Sequence, residues 1–221
     1  AVLTRALALA PDDAGAHNAL GYVHLTRKEH EEALAAYRKA HELDETNVKA
    51  CAGIGNVHLV RWELSEARLW YEKALALSPD DMEVLNNLGL VLGRQGHPDD
   101  ALALFEKTIR IEPQFGLGHS NAAWMHFRKN EHPEASRLAE KALVLDPTLA
   151  KPHIILGVVL TRAGKFEEGL AEYEKASAKD PGDGLAHFNR GVTLERLGRA
   201  AEAIEAYGIS TKCGPGDIRP I

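Results

Sequence analysis

The chain has little that is chemically reactive and nothing long enough to cross a bilayer. Among its 221 residues there are only two cysteines, Cys51 and Cys213. That is too few for the disulfide framework of a small secreted domain, and a reducing, cytoplasmic setting is expected. No apolar run approaches the ~20 residues that a membrane helix needs, so direct membrane insertion is not expected. No N-x-Ser/Thr sequon occurs. No leader is visible, and an opening on Ala1 rather than Met leaves room for missing native termini. Positive charge is in deficit: 26 Lys and Arg against 32 Asp and Glu give a formal net charge of −6. General nucleic-acid binding needs a basic face and is excluded on that ground. Aromatic residues make up only 6%.

What is abundant is repetition. Pro11, Pro79, Pro113, Pro147, Pro181 and Pro215 stand on a ladder with a step of 34, and Glu45 fills the missing rung. The same step links Gly21, Gly55, Gly89, Gly157 and Gly191, with Ala123 in the gap. It links Ala33, Ala67, Ala101, Ala135 and Ala203, with Gly169 between. Tyr37, Tyr71, Phe105, Tyr173 and Tyr207 form an aromatic column, broken once by Ala139. No insertion interrupts the register. Each unit reads as a first helix with a small residue at its centre, a short polar turn such as "RQGH" or "RAGK", and a second helix. The second helix carries small, apolar and aromatic residues on one face. Proline then stops the second helix, and "PDD" or "PGD" supplies N-cap chemistry for the next first helix.

This pattern resembles the tetratricopeptide repeat (TPR) over nearly the whole chain. The resemblance implies an all-α fold, a right-handed superhelical α-solenoid of helix–turn–helix units. Six repeats are read at 14–47, 48–81, 82–115, 116–149, 150–183 and 184–217. Residues 1–13 are read as the second helix of an incomplete leading repeat, and 218–221 as a tail.

Catalysis and cofactors are not expected. Gly89, Gly93 and Gly96 in "NNLGLVLGRQG" follow no strand, so they do not make a phosphate loop. Gly89 is read as the point where two helix backbones approach, and Gly96 as a turn glycine. His17, His119, His153 and His187 share one repeat position with Cys51. Equivalent positions lie at least a helix-packing distance apart, ~8–10 Å, whereas ligands of one zinc lie about 2 Å from it. A metal site is therefore not expected. Neighbouring carboxylates such as Asp80/Asp81, Asp99/Asp100, Glu31/Glu32 and Glu167/Glu168 fall at helix starts, where they favour the helix dipole.

By the same resemblance, the inner faces of the first helices form a concave peptide-binding groove. Three features fall there. The first is an asparagine set of Asn87, Asn121 and Asn189, with Asn56 nearby. Its amides can pair with the N–H and C=O of an extended peptide, similar to the asparagine ladder in the TPR region of O-GlcNAc transferase. The second is an arginine ladder, Arg94, Arg128, Arg162 and Arg196, suited to carboxylates. The third is an apolar patch of Tyr22, Leu90, Trp124, Phe127, Ile154, Val158, Phe188 and Val192. Lys151 lies at a further groove position. The two-carboxylate clamp that some TPR proteins use on chaperone tails is incomplete, because Ala52, Leu117 and Asn121 occupy its other places. The expected function is a non-catalytic scaffold that binds a protein or peptide segment in this groove. The alternatives are head-to-tail self-assembly through exposed terminal repeats, and substrate recognition for a larger enzyme such as a glycosyltransferase.

Overall fold

A computed structural model describes residues 10–213, and all their regular structure is helical. Residues 1–9 of the leading half-repeat read at 1–13, the last residues of the sixth repeat and the 218–221 tail lie outside the described residues. So does any assembly through those ends.

The chain divides into two compact units, Ala1–Ile111 and Glu112–Ile221. The first holds α1 (Ala14–Thr26), α2 (His30–Leu43), α3 (Val48–Val60), α4 (Leu64–Leu77), α5 (Met82–Gln95) and α6 (Pro98–Ile111). The second holds α7 (Gly116–Arg128), α8 (His132–Leu145), α9 (Lys151–Arg162), α10 (Phe166–Lys179), α11 (Gly184–Arg196) and α12 (Ala200–Lys212). Within each unit consecutive helices pair as hairpins. Each second helix also packs on the first helix of the next hairpin, and neighbouring first helices touch.

The helix ends follow from local chemistry. Asp13, Asn47, Asp81 and Asp183 accept N–H bonds from the first turn of α1, α3, α5 and α11, leaving fewer orphan donors there. Ala150 cannot do this for α9, which starts instead with Pro152 in its first turn. Second helices end on an extended residue before proline, as at Ser78, Asp146 and Asp180. Asp44 adopts the same extended form although Glu45 follows it. Its Oδ1 accepts the Thr46 N–H at 3.0 Å and the Thr46 hydroxyl at 2.7 Å, so a side chain holds the bend that proline imposes elsewhere.

The glycine column meets the aromatic column. A Cβ placed on Gly55, Gly89, Gly157 or Gly191 would stand 2.6 Å from Tyr71, Phe105, Tyr173 or Tyr207 respectively. The close approach at Gly89 is thus helix backbone against a ring, not backbone against backbone. Tyr71, Phe105 and Tyr173 are buried. The fourth repeat departs from this scheme. Ala123 replaces the glycine, Ala139 replaces the ring, and both are fully buried. The ring buried in that hairpin is Phe127, supplied by the first helix.

Two kinds of turn join the helices of a hairpin. After α5, α9 and α11 the chain passes through the left-handed region at Gly96, Gly164 and Gly198. After α1, α3 and α7 the same conformation is held by Lys28, Trp62 and Asn130. In these three turns a histidine on the first helix donates Nδ1–H to the glutamate five residues on. The pairs are His24–Glu29 at 2.6 Å, and His58–Glu63 and His126–Glu131 at 2.5 Å. A side-chain latch thus accompanies the turns that lack glycine.

The latches predict an acid limb in stability. The hydrogen bond from the histidine holds the Glu63 and Glu131 carboxyls below their ordinary values. A depressed carboxyl stabilises the folded chain above the unfolded value, about 4.3, and that contribution is lost as pH falls through the folded value. Melting temperatures measured from pH 6 to pH 3 should fall less steeply in Glu63→Gln/Glu131→Gln than in the parent. Parallel curves would show that the latches carry no such coupling.

Candidate functional site

In the first unit the polar residues of the first helices brace one another. Asn56 Oδ1 accepts the Tyr71 hydroxyl at 2.6 Å and Asn87 Nδ2–H at 3.0 Å, and Asn56 Nδ2 reaches Glu83 Oε1 at 3.4 Å. Asn87 Oδ1 in turn accepts from Asn86 at 3.3 Å. Both lone pairs of the Asn56 carbonyl are therefore occupied, and the Asn87 amide also hydrogen-bonds the Tyr71 hydroxyl. Asn18 donates to Asn47 at 2.9 Å, steadying the residue that caps α3. Burial, with the Glu83 charge as a further cause, pushes the Tyr37 hydroxyl up to about 12. Tyr22 is exposed and Leu90 is half-buried. The Arg94 guanidinium lies over the Trp62 ring at 4.5 Å from its centroid.

In the second unit Asn121 is buried and accepts from Lys151 Nζ at 3.2 Å. Its amide is used between repeats and does not face outward. Ile154 is also buried, as part of the packing between helices. Trp124 is half-buried and stacks on Phe127, with centroids 5.6 Å apart. Arg128 is exposed at the end of α7.

The remaining expected residues converge. Val158 and Arg162 of α9, with Phe188, Asn189, Val192 and Arg196 of α11, line a pocket of about 230 Å³. Tyr173 of α10 lines it too, together with Thr161 and Thr193. Val158, Phe188 and Val192 give it apolar walls. The Thr161 hydroxyl donates to Val158 O at 3.0 Å, and Thr193 donates to Asn189 O at 2.8 Å. Desolvation raises the Tyr173 hydroxyl to about 12, so it remains a neutral phenol. Asn189 Nδ2 is buried and has no hydrogen-bond partner. No carboxylate lines the pocket.

The two arginines are held by aromatic rings of the preceding repeat. Arg162 lies 5.4 Å from the Phe127 centroid and Arg196 5.8 Å from that of Phe166, distances within cation–π range. Arg162 also bonds His132 Nε2 at 3.2 Å and Asn130 Oδ1 at 3.5 Å. Arg196 makes no ion pair among the described residues. Sequence reasoning found the arginine ladder but not its aromatic seats. Those seats occupy different repeat positions (Trp62, Phe127, Phe166), so no column marks them.

The histidine column also has a use within the fold. His17, His119 and His187 donate Nε2–H to Pro11 O, Pro113 O and Pro181 O at 2.8, 3.0 and 3.2 Å. Each fastens a first helix to the loop before it. His153 instead pairs with Glu172 at 2.7 Å, and Cys51 Sγ lies 3.8 Å from His41 Nδ1. Among the described residues no group of three His, Cys, Asp or Glu side chains is placed to hold a metal. Nor is any helix there long and apolar enough to cross a membrane.

Helical hairpins built on glycine–ring contacts, and stacked through their first helices within each unit, are the architecture the 34-residue step implied. A tetratricopeptide repeat model matches residues 1–48, 86–150 and 156–218, and a second TPR repeat model matches 63–96. The chain belongs to the tetratricopeptide repeat family. No curated protein matches this TPR chain. Among solved structures it is similar to YrrB, a TPR protein with an unusual peptide-binding site. The identity is 26% and the TM-score 0.64, over 84% of this chain and 96% of that one. Cut9 with Hcn1, from an APC/C hetero-tetramer, gives a TM-score of 0.87 at 16% identity, covering 98% of this chain and 43% of that one. PilF of Pseudomonas aeruginosa gives 0.75 at 21% identity, over 92% of each chain. At those identities the last two bear on fold alone, and the fold is the all-α TPR solenoid.

Proposed function

We propose that this TPR chain is a non-catalytic protein-interaction scaffold that takes a peptide segment against its first helices. The pocket between α9 and α11 carries the reading. It combines apolar walls with guanidinium and amide donors, the mixture by which protein sites fix orientation. The similarity to YrrB, a TPR protein with a peptide-binding site, supports it. The first unit contributes less, because its asparagines are largely engaged with each other and with Tyr71.

A micromolar complex needs about −8 kcal/mol. Net hydrogen bonds of roughly 0.5–1.5 kcal/mol each and one or two buried anchors supply that. Peptides selected from a displayed random library against residues 1–221 should bind with micromolar affinity. Trp124→Ala should weaken them, and Val192→Glu, which puts a carboxylate against the pocket wall, should weaken them at least tenfold, about 1.4 kcal/mol. A selection that yields no binder, or binders indifferent to both substitutions with the helical signal unchanged, rejects the reading.

A further inference from the structure

We infer that the open face of α12, carrying Ile204, Glu205, Gly208, Thr211 and Lys212, pairs with the same face of a second copy of this chain. The two helices cross antiparallel at Gly208, on a two-fold axis. The contact is separate from the peptide pocket and does not depend on it.

Two departures from the repeat mark this face. Ile204 stands at the position of Leu34, Leu102 and Leu170. Those leucines are 7%, 8% and 5% exposed, whereas Ile204 is 72% exposed. Leu34 packs in one cluster with Ile54 and Val57 of the following first helix, and Leu170 in another with Leu194 of the following one. Among the described residues α12 packs only on α11. Tyr207 is accordingly half-buried, where Tyr37, Tyr71, Phe105 and Tyr173 are buried. The second departure is Gly208. The other five second helices carry Arg38, Glu72, Glu106, Glu140 and Glu174 at its position, all exposed. Glycine is the costliest residue after proline in a helix interior. No neighbour within the chain requires it, because a Cβ at Gly208 would meet nothing within 4 Å. Its use is to let another backbone come close.

Charge selects a second copy as the occupant. Glu205 and Lys212 flank Gly208, both exposed, and neither makes an ion pair among the described residues. Seven residues apart, they are about 10.5 Å from each other along the helix at 1.5 Å per residue, too far to pair within one chain. An antiparallel copy crossing at Gly208 sets Glu205 of either chain against Lys212 of the other. Ile204 of each chain then lies over the Gly208–Thr211 turn of the other. A foreign helix would need this spacing of charge and space by chance, whereas a second copy has it by symmetry. Such a contact uses the same patch twice and closes at two chains, unlike head-to-tail stacking. One helix face is a small interface, so the dimer is a weak one.

The test is sedimentation equilibrium of the whole chain at rising concentration. A monomer–dimer equilibrium with no larger species is expected. Gly208→Arg installs the residue that Arg38 supplies in the first repeat. It should weaken the dimer about tenfold or more with unchanged helical signal, since the helix has room for the side chain. Glu205→Lys and Lys212→Glu should each weaken the dimer, because like charges then face each other. The double variant Glu205→Lys/Lys212→Glu should recover most of the loss, because the pairs re-form with their signs exchanged. A variant ending at Cys213 tests a different occupant. If it dimerises and the whole chain does not, residues 214–221 cover the face and the inference fails. It fails equally if the chain stays monomeric throughout, if it grows beyond a dimer, or if the dimer is indifferent to Gly208→Arg and to the charge exchange. None of these outcomes bears on peptide binding at the first helices.

Discussion

Phe105→Ala is expected to cost about 3–5 kcal/mol, the range for emptying a buried phenylalanine site. Gly89→Ala is expected to cost about 1–3 kcal/mol by overpacking, even though alanine is the better helix former by ~1 kcal/mol. The new methyl would stand 2.6 Å from Phe105 Cε1, and that ring has no exposure into which to retreat. The informative case is the double variant. With the ring gone, the methyl at position 89 no longer clashes and fills part of the cavity. Gly89→Ala/Phe105→Ala should therefore be more stable than the sum of the singles by about 1 kcal/mol or more, as expected for residues in contact. Urea midpoints of the four proteins measure this. Strict additivity would mean that glycine and ring do not share one space.

How far the sequence revealed this structure depends on which interactions keep a fixed step. Glycine, ring and alanine columns recur because every hairpin solves the same packing problem, and the first helices begin at Ala14, Val48, Met82, Gly116, Lys151 and Gly184, each at or within one residue of the repeat starts read from the sequence. Less visible was what the polar residues do. Asn56 and Asn87 are separated by 31 residues and Asn121 and Lys151 by 30, so bonds between repeats fall off the 34-residue ladder and leave no column. The same holds for Arg94 over Trp62 and Arg162 over Phe127. The histidine latches were legible in principle, because His at one position and Glu five residues later recur together in the first, second and fourth repeats. In the third, fifth and sixth, leucine and a basic residue take those places (Leu92/His97, Leu160/Lys165, Leu194/Arg199), and glycine holds the turn.

The fourth repeat supplies the second large effect, because there the chain's own pattern misleads. Judged by the other five repeats, Ala139→Tyr restores the missing ring of the aromatic column and ought to stabilise. The expected result is the opposite, a loss of about 3 kcal/mol, at the upper end of overpacking costs. Ala139 is fully buried, and its own hairpin already buries the Phe127 ring. Ala123 also carries a Cβ where other repeats carry glycine, and a Cβ at the equivalent Gly157 would be 2.6 Å from its ring. A tyrosine at 139 therefore meets both an occupied space and a methyl that the ring cannot pass. Two further substitutions should relieve it. Ala123→Gly removes the methyl and Phe127→Leu vacates the space, so the triple variant should regain most of the stability that Ala139→Tyr loses. Phe127→Leu alone should cost stability, because it opens a cavity that the alanines at 123 and 139 do not fill. A stable Ala139→Tyr single variant, or a triple variant no better than the single, would show that the exchange of ring between helices in this repeat is not a compensated pair.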